Sequence, residues 1–549
     1  MTLDIAGVPV MYLPYFSHPD PTVDRRTGFL TPSLYFGGEF DAVAQVPYYW
    51  SIAPDFDVTL QPFFTVKSAP VAAAEVRHLF ESGRITFDGS LGYLERTSNS
   101  GSRSSESARG HAFVDGAFAL DPIWRLTFAG RAASDDSYLE TFNIEDADVL
   151  RSQAALEGFW QESYVRVGAF GVQDLRETAE QNDTPFALPE IRGLYQGAPT
   201  RWGSGFVEAD ARALLRSKGA DGESASATIG WRAPFTTAGG HRFDLEASAR
   251  GDVYHTRDGV AAGAADDGVV ARAAPRLVAG WRYPLLQQNG WGSLIVEPRV
   301  QAVAALDGAR NRDIPNEDSR AVEFDEGNFF SPDRFVGRDR IDDGQRLDYG
   351  ISATALFQNG GRAYRFVGQS SARKRGDFAR EAGMSGQSSD IVAAATASPA
   401  PWLDLAYRAR LDKRRFDVRR QEISIGAGPS WLRGELAYVE ADAESQGPEV
   451  STAVEQLEAG LAVRFGENWR VSARHHRDLD AGRSLLWSAS IAYQDECISV
   501  DLGFARDFAS QADGGGREDT VFLRVNFKHL GGLGISQGVG ERSGSNPVP

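Results

Sequence analysis

The chain is short of cysteine, of excess basic charge and of long apolar runs, and each shortage removes a class of protein. One of its 549 residues is cysteine, Cys497, so no zinc site built on cysteines and no internal disulfide can form. Lysine and arginine number 57 against 75 acidic residues, a net charge of −18. Nucleic acid needs a basic surface, so it is excluded as a partner. No stretch of about 18 apolar residues occurs, which excludes a membrane protein built of helices. Residues 1–20 hold no basic segment leading into an apolar one, so no signal peptide is visible there. A β-barrel survives all of these tests. Its strands alternate lipid-facing apolar with lumen-facing polar residues, and no window of it scores as a span.

The alternation is present and recurs. In residues 47–66, "PYYWSIAPDFDVTLQPFFTV", Val58, Leu60, Pro62, Phe64 and Val66 share one face. Asp57, Thr59, Gln61 and Thr65 share the other, the period-two signature of a two-faced strand. Trp124, Leu126 and Phe128 oppose Arg125, Thr127 and Arg131 in the same way. So do Leu347, Tyr349 and Ile351 against Arg346 and Asp348, and Val521, Leu523, Val525 and Phe527 against Arg524, Asn526 and Lys528. Helical spacing is sustained nowhere. Tight turns such as 53–55, 81–83, 161–162 and 466–468 tend to alternate with long polar connections at 97–109, 133–148, 256–268, 308–344 and 442–451. Tyr48, Tyr49, Trp50, Trp124, Trp160, Trp402, Trp469 and Tyr493 sit near tight turns, where a ring can lie at the headgroup level. The fold class expected is all-β: a single large antiparallel transmembrane β-barrel of about 26 strands, with short periplasmic turns and long external loops.

Motifs that carry chemistry elsewhere are weak here. "GISQG" at 534–538 has the spacing of a nucleophile elbow, but that needs a strand-to-helix turn. Adjacent His475 and His476 point to opposite faces of a strand and cannot chelate one metal together. The acidic runs at 324–328 and 339–343 lack EF-hand spacing, so no metal ligand is assigned. Pro32 and Pro47 are more telling. Each removes a ladder donor from one of the first two strands, next to the place where a barrel must close on its last strand.

Three long stretches resemble the LptD family of lipopolysaccharide-assembly outer-membrane proteins, also called organic-solvent-tolerance proteins. They are "GVPVMYLPYFSHPDPTVDRRTGFLTP" at 7–32, "TLQPFF" after "PYYWSIAPDFD", and 314–350, "IPNEDSRAVEFDEGNFFSPDRFVGRDRIDDGQRLDYG". The resemblance implies a 26-stranded barrel in the bacterial outer membrane that is no enzyme and uses no cofactor. Its function would be to place lipopolysaccharide in the outer leaflet through a lateral gate between first and last strands. The partners implied are lipopolysaccharide, an LptE-like plug lipoprotein in the lumen, a periplasmic lipopolysaccharide bridge protein acting through an N-terminal β-jellyroll, and outer-membrane lipid. On this basis residues 1–28 read as the end of that jellyroll and a linker, 29–535 as barrel and 536–549 as a flexible tail. Pro32 and Pro47, with Leu523, Val525 and Phe527 opposite, would form the weak seam between 29–37 and 520–530. Pro315, Asn316, Glu317, Asp318, Ser319, Arg338, Asp339 and Arg340 would belong to a loop folded over or into the lumen. Cys497 would stand for the family's C-terminal cysteine pair, its disulfide partner lying outside this chain. Alternatives are a general outer-membrane porin or transporter and, less favoured by the residues, a barrel-embedded hydrolase using His475 or His476.

Overall fold

The computed structural model describes residues 2–5, 8–12, 25–30, 33–36, 42–66, 69–95, 105–142, 144–145, 147–176, 184–216, 218–257, 267–306, 310–319, 323–375, 378, 382–384, 386–442, 453–496, 498–508, 518–527 and 531–538. Thr2–Ile5 and Val8–Tyr12 pair as a small antiparallel ribbon in a sheet of their own. From Gly28 onward the strands join into one closed barrel. Each strand is antiparallel to the next, because a tight turn or loop returns the chain beside itself.

Proline shapes the first strands. The second runs as Ala42–Gln45 and Tyr48–Ala53, interrupted at Val46 and Pro47. The third runs as Phe56–Leu60 and Phe63–Thr65, interrupted at Gln61 and Pro62. Of the first, Gly28–Phe29 and Ser33–Phe36 are described, and Pro32 between them lies outside the described residues. Further round the wall, Gly268–Arg282 and Leu285–Asn289 flank Pro284 and pair with the same neighbour. With each broken strand taken as one, the chain from Gly28 to Phe527 makes the 26 passes expected.

A further strand then follows, which corrects the expected end of the barrel. Gly531–Gly538 pairs antiparallel with Glu518–Phe527 and parallel with the first strand. The parallel closure is obligatory. An extra pass makes the number of strands odd, so the last strand runs in the same direction as the first. The wall therefore reaches Gly538 rather than residue 535.

The barrel is inside-out relative to a soluble protein. Asp348 is 0% exposed and Arg346 is buried, while Ile351, Leu347 and Tyr349 on the opposite face are open, Ile351 by 50%. The apolar face meets lipid and the polar face lines the lumen. Trp124, Trp160, Trp202, Trp291, Trp402, Trp431 and Trp469 lie at the short-turn end, the aromatic girdle expected there, with Trp124 and Trp160 edge-to-face at 5.3 Å. Tyr49 departs from it. It shares a face with Thr59 and its hydroxyl donates to Asp57 at 3.3 Å, so it points into the lumen.

Among the described residues, two apolar clusters sit inside the barrel. One forms where the connection 134–148 turns inward and its single helical turn, Tyr138–Thr141, seats Tyr138, Leu139 and Phe142 against Val43, Phe63, Leu94 and Leu150. The other packs Phe324 and Phe329 of the connection 306–343 against Phe366, Met384 and Val392.

Candidate functional site

Among the described residues, the joint between first and last strands is the shortest in the wall. Leu34, Tyr35 and Phe36 register with Ile535, Ser536 and Gln537, three described pairs. By contrast Asp221–Thr236 and Arg242–Arg257 register along all sixteen of their residues. Leu523, Val525 and Phe527, expected to face the first strand, instead register with Ile535, Leu533 and Gly531. The inserted strand is what separates them. Its sequence "GGLGISQG" reads as a tail because glycine weakens strand propensity, and "GISQG" is strand rather than a strand-to-helix elbow. Pro47 lies in the break of the second strand, where its carbonyl accepts from the Leu30 amide at 2.9 Å. Pro62 makes the same kind of break beside it. In the sequence it passes for one more apolar position of an alternating stripe, although Pro32, Pro47 and Pro62 are equally spaced.

The connection 306–343 is held against the polar, hence inner, face of the wall. Asp339, 1% exposed, accepts from Arg212 Nη2 at 2.6 Å and from the amides of Glu317 and Asp318 at 2.7 and 3.2 Å. Asp318 in turn accepts from Arg212 Nη1 at 2.9 Å and from the amides of Arg338 and Asp339 at 2.9 and 3.1 Å. These bonds close a carboxylate-clasped turn around one wall arginine. Arg216 meets Glu317 at 2.8 Å, and Arg272 donates to the carbonyls of Arg338 and Asp339 at 2.8 and 2.9 Å. Ser319 N donates to Asn316 Oδ1 at 2.9 Å, Arg340 Nη1 to the Ile314 carbonyl at 2.7 Å, and Pro315 lines a crevice with Arg212 and Asp339. Further along, Arg334 pairs with Asp348, and Glu326 and Glu323 reach Arg408 and Arg420, both at 2.7 Å. The loop thus crosses the inner wall from strand Ser204–Leu215 to strand Val418–Ala427. All eight loop residues named from the sequence lie in this body.

Burial raises the Asp339 carboxyl above its ordinary value, with Arg212 offsetting only part. Burial acts on Asp318 as well, but the Arg338 amide, the Arg212 charge and the Asp339 amide outweigh it and hold that carboxyl low.

The inward connection 134–148 is a feature that sequence reasoning missed. Arg109, itself buried, grips Asp135 through Nε and Nη2, both at 2.9 Å. Tyr138 meets Ser90 Oγ at 2.7 Å, Ser90 meets His111 Nδ1 at 2.6 Å, and His111 Nε2 meets Asp88 at 2.6 Å. The signal was available: Tyr138, Leu139 and Phe142 form an apolar face at helical spacing within a polar loop. His475 and His476 are occupied apart from each other, His475 with Ser484 at 3.0 Å and His476 with Gln456 at 3.2 Å. Cys497 lies outside the described residues. Among those residues no cluster of side chains is suited to a metal ion.

The sequence matches the family model described as LptD, LPS transport system D, over residues 107–469. It is 25% identical to LPS-assembly protein LptD of Nitrosococcus oceani across 96% of this chain and 70% of that one. To the LPS-assembly protein LptD of Saccharophagus degradans it is 24% identical, across 97% and 68%. A siderophore receptor structure, PirA of Pseudomonas aeruginosa, aligns with 93% of this chain and 75% of that one at 9% identity, with a TM-score of only 0.29. The family match spans more than half of the sequence, and the alternating wall and aromatic girdle fit it: the chain belongs to the LptD family, LPS transport system D, and is an outer-membrane β-barrel.

Proposed function

We propose that this barrel is a non-enzymatic translocon that sets lipopolysaccharide into the outer leaflet, releasing it sideways between the first strand and the strands that close the wall. The observation that supports this reading is the three-pair parallel joint at Leu34–Phe36 and Ile535–Gln537. A ladder bond is worth about 0.5–1.5 kcal/mol net, and an unsatisfied backbone group in lipid costs several kcal/mol, so the barrier to parting two strands grows with their registered length. Parallel pairs are also slightly weaker per residue. Opening this joint breaks far fewer bonds than opening any full-length pair, and proline breaks at Pro47 and Pro62 let the neighbouring strands bend away. Hydrated sugar would travel along the polar inner face while acyl chains pass through the opened seam into lipid. An LptE-like lipoprotein would plug the lumen beside the inward loops, and a periplasmic bridge protein would deliver cargo at the short-turn end. Cys497 would bond to a cysteine outside this chain.

The test is a reversible lock. Tyr35→Cys with Ser536→Cys places thiols on registered partners of the seam, and Ile229→Cys with Ala249→Cys does so on an interior pair. Oxidation of the seam pair should halt lipopolysaccharide delivery between vesicles, and reductant should restore it. If the seam lock transports as well as the interior lock, lateral release is wrong.

A further inference from the structure

Beneath the inward loop 134–148, at the short-turn end of the inner wall, lies a cavity of about 660 Å³ that the seam and the loops do not explain. Register fixes what faces it. Asp57 lies opposite Arg77, Arg77 opposite Thr86, and Leu79 opposite Arg84, all on the lumen side. Asp57 is the buried pole: it accepts from Arg77 Nε at 2.7 Å, Arg25 Nη1 at 3.3 Å and Tyr49 OH at 3.3 Å.

The cations there are not saturated. A guanidinium has five donors in a planar fork, and a carboxylate has about four acceptor sites. Arg25 and Arg77 are 41% and 48% exposed and both line the cavity. Glu75 takes one further contact from Arg77 at 3.3 Å, and Asp115 is matched by Arg131 at 2.8 Å. Arg84 makes no hydrogen bond or ion pair among the described residues. The contrast with the inward loop is sharp, since Arg212 and Arg272 there spend their donors on carboxylates and carbonyls.

We infer that this cavity is a binding site for a phosphate monoester carried on an amphiphile, held by Arg25, Arg77 and Arg84. Guanidinium forks that line one cavity with spare donors suit an anion with several oxygens, and phosphate offers three to arginines that a carboxylate cannot satisfy. The position adds direction. Arg25 stands just before the first strand, and Gly28 registers with Tyr49, so the site lies at the foot of the seam. Higher on the same wall, Ser90 is bonded to both His111 and Tyr138, so the inward loop packs on the inner face above the cavity. Cargo docked here has the seam beside it. Leu79, exposed on the lumen side, supplies an apolar contact. That the amphiphile is lipopolysaccharide rests on the function proposed above; the anion site does not.

The experiment uses the full chain in detergent, with phosphorylated lipid A, dephosphorylated lipid A and inorganic phosphate as probes. Phosphorylated lipid A should bind about tenfold more weakly to Arg84→Gln and to Arg77→Gln, the scale of losing a charge-assisted bond, with partial recovery in Arg84→Lys. Dephosphorylated lipid A should bind all variants equally weakly. Equal binding of both lipids by the parent chain, or no change in Arg84→Gln, overturns the site. Competition by inorganic phosphate with no preference between the lipids leaves an adventitious ion only and also overturns it. A photoreactive phenylalanine derivative replacing Leu79, and another replacing the lumen-facing Thr228, separate this site from the transport reading in cells. Lipopolysaccharide captured at Thr228 but not at Leu79 removes the site and leaves transport standing; capture at neither removes both.

Discussion

Replacing Asp339 by alanine tests whether the inward loop is held by its buried charge network. Three donors converge on this carboxylate, from Arg212 and the amides of Glu317 and Asp318. Alanine leaves them without their acceptor in a site that is 1% exposed, although Arg212 keeps Asp318 at 2.9 Å. Each stranded buried donor costs about 1–3 kcal/mol, and breaking a buried pair costs about 3–5 kcal/mol in all. Some of that loss is recovered as the loop relaxes, so a net loss of about 3 kcal/mol is expected, or roughly a hundredfold in the closed-to-open ratio. The assay is the rate at which protease cleaves 310–343 in folded, detergent-solubilised protein. Asp313→Ala is the control. Its pair with Arg310, 2.8 Å long, is half exposed on both sides, and such pairs are worth about 0–1 kcal/mol. Cleavage of Asp339→Ala within about threefold of the parent would refute the clasp as the loop's anchor.

Three further outcomes follow from the same geometry. Ile351→Lys, on the lipid face in mid-strand, should lower stability in vesicles by about 2–4 kcal/mol, with Ser352→Lys on the lumen face costing far less; equal costs would put the faces the wrong way round. Pro47→Ala and Pro62→Ala each supply a missing ladder donor, so amides of the second and third strands should exchange several-fold more slowly, as a bond worth about 0.5–1.5 kcal/mol allows; unchanged exchange means that the breaks have another cause. The Asp135 carboxyl lies below its ordinary 3.8, because bonds from Arg109, Ser134 and Ser137 outweigh the burial that raises it. A depressed acid stabilises above the unfolded value and loses that contribution as pH falls through the folded one, so amides of Ser137–Phe142 should be protected at pH 7 and lose protection below about pH 3.8.

The sequence makes the wall legible because lipid and lumen impose opposite demands on successive residues. Asp348 and Ile351 declare their faces without any knowledge of neighbours. The loop 314–344 was readable only through resemblance: its acids look like solvated charge until Arg212, 106 residues from Asp318, is brought opposite. Two features were hidden by composition. Gly531–Gly538 has too little side chain to advertise a strand, and it is recognised only by its pairing. Tyr49 sits in an aromatic cluster that suggests the girdle, but pairing with Thr59 turns it toward Asp57. Pro62 was visible yet absorbed into the stripe, since a ring on the apolar face keeps the alternation while removing the donor that continuity needs.

Whether the wall opens at its least registered joint is read out by strand-resolved hydrogen exchange on the folded barrel in lipid. Amides of Leu34–Phe36 and Ile535–Gln537 should exchange much faster than those between Asp221–Thr236 and Arg242–Arg257. Equal protection at the seam and in that sixteen-residue ladder would rule out opening at the seam.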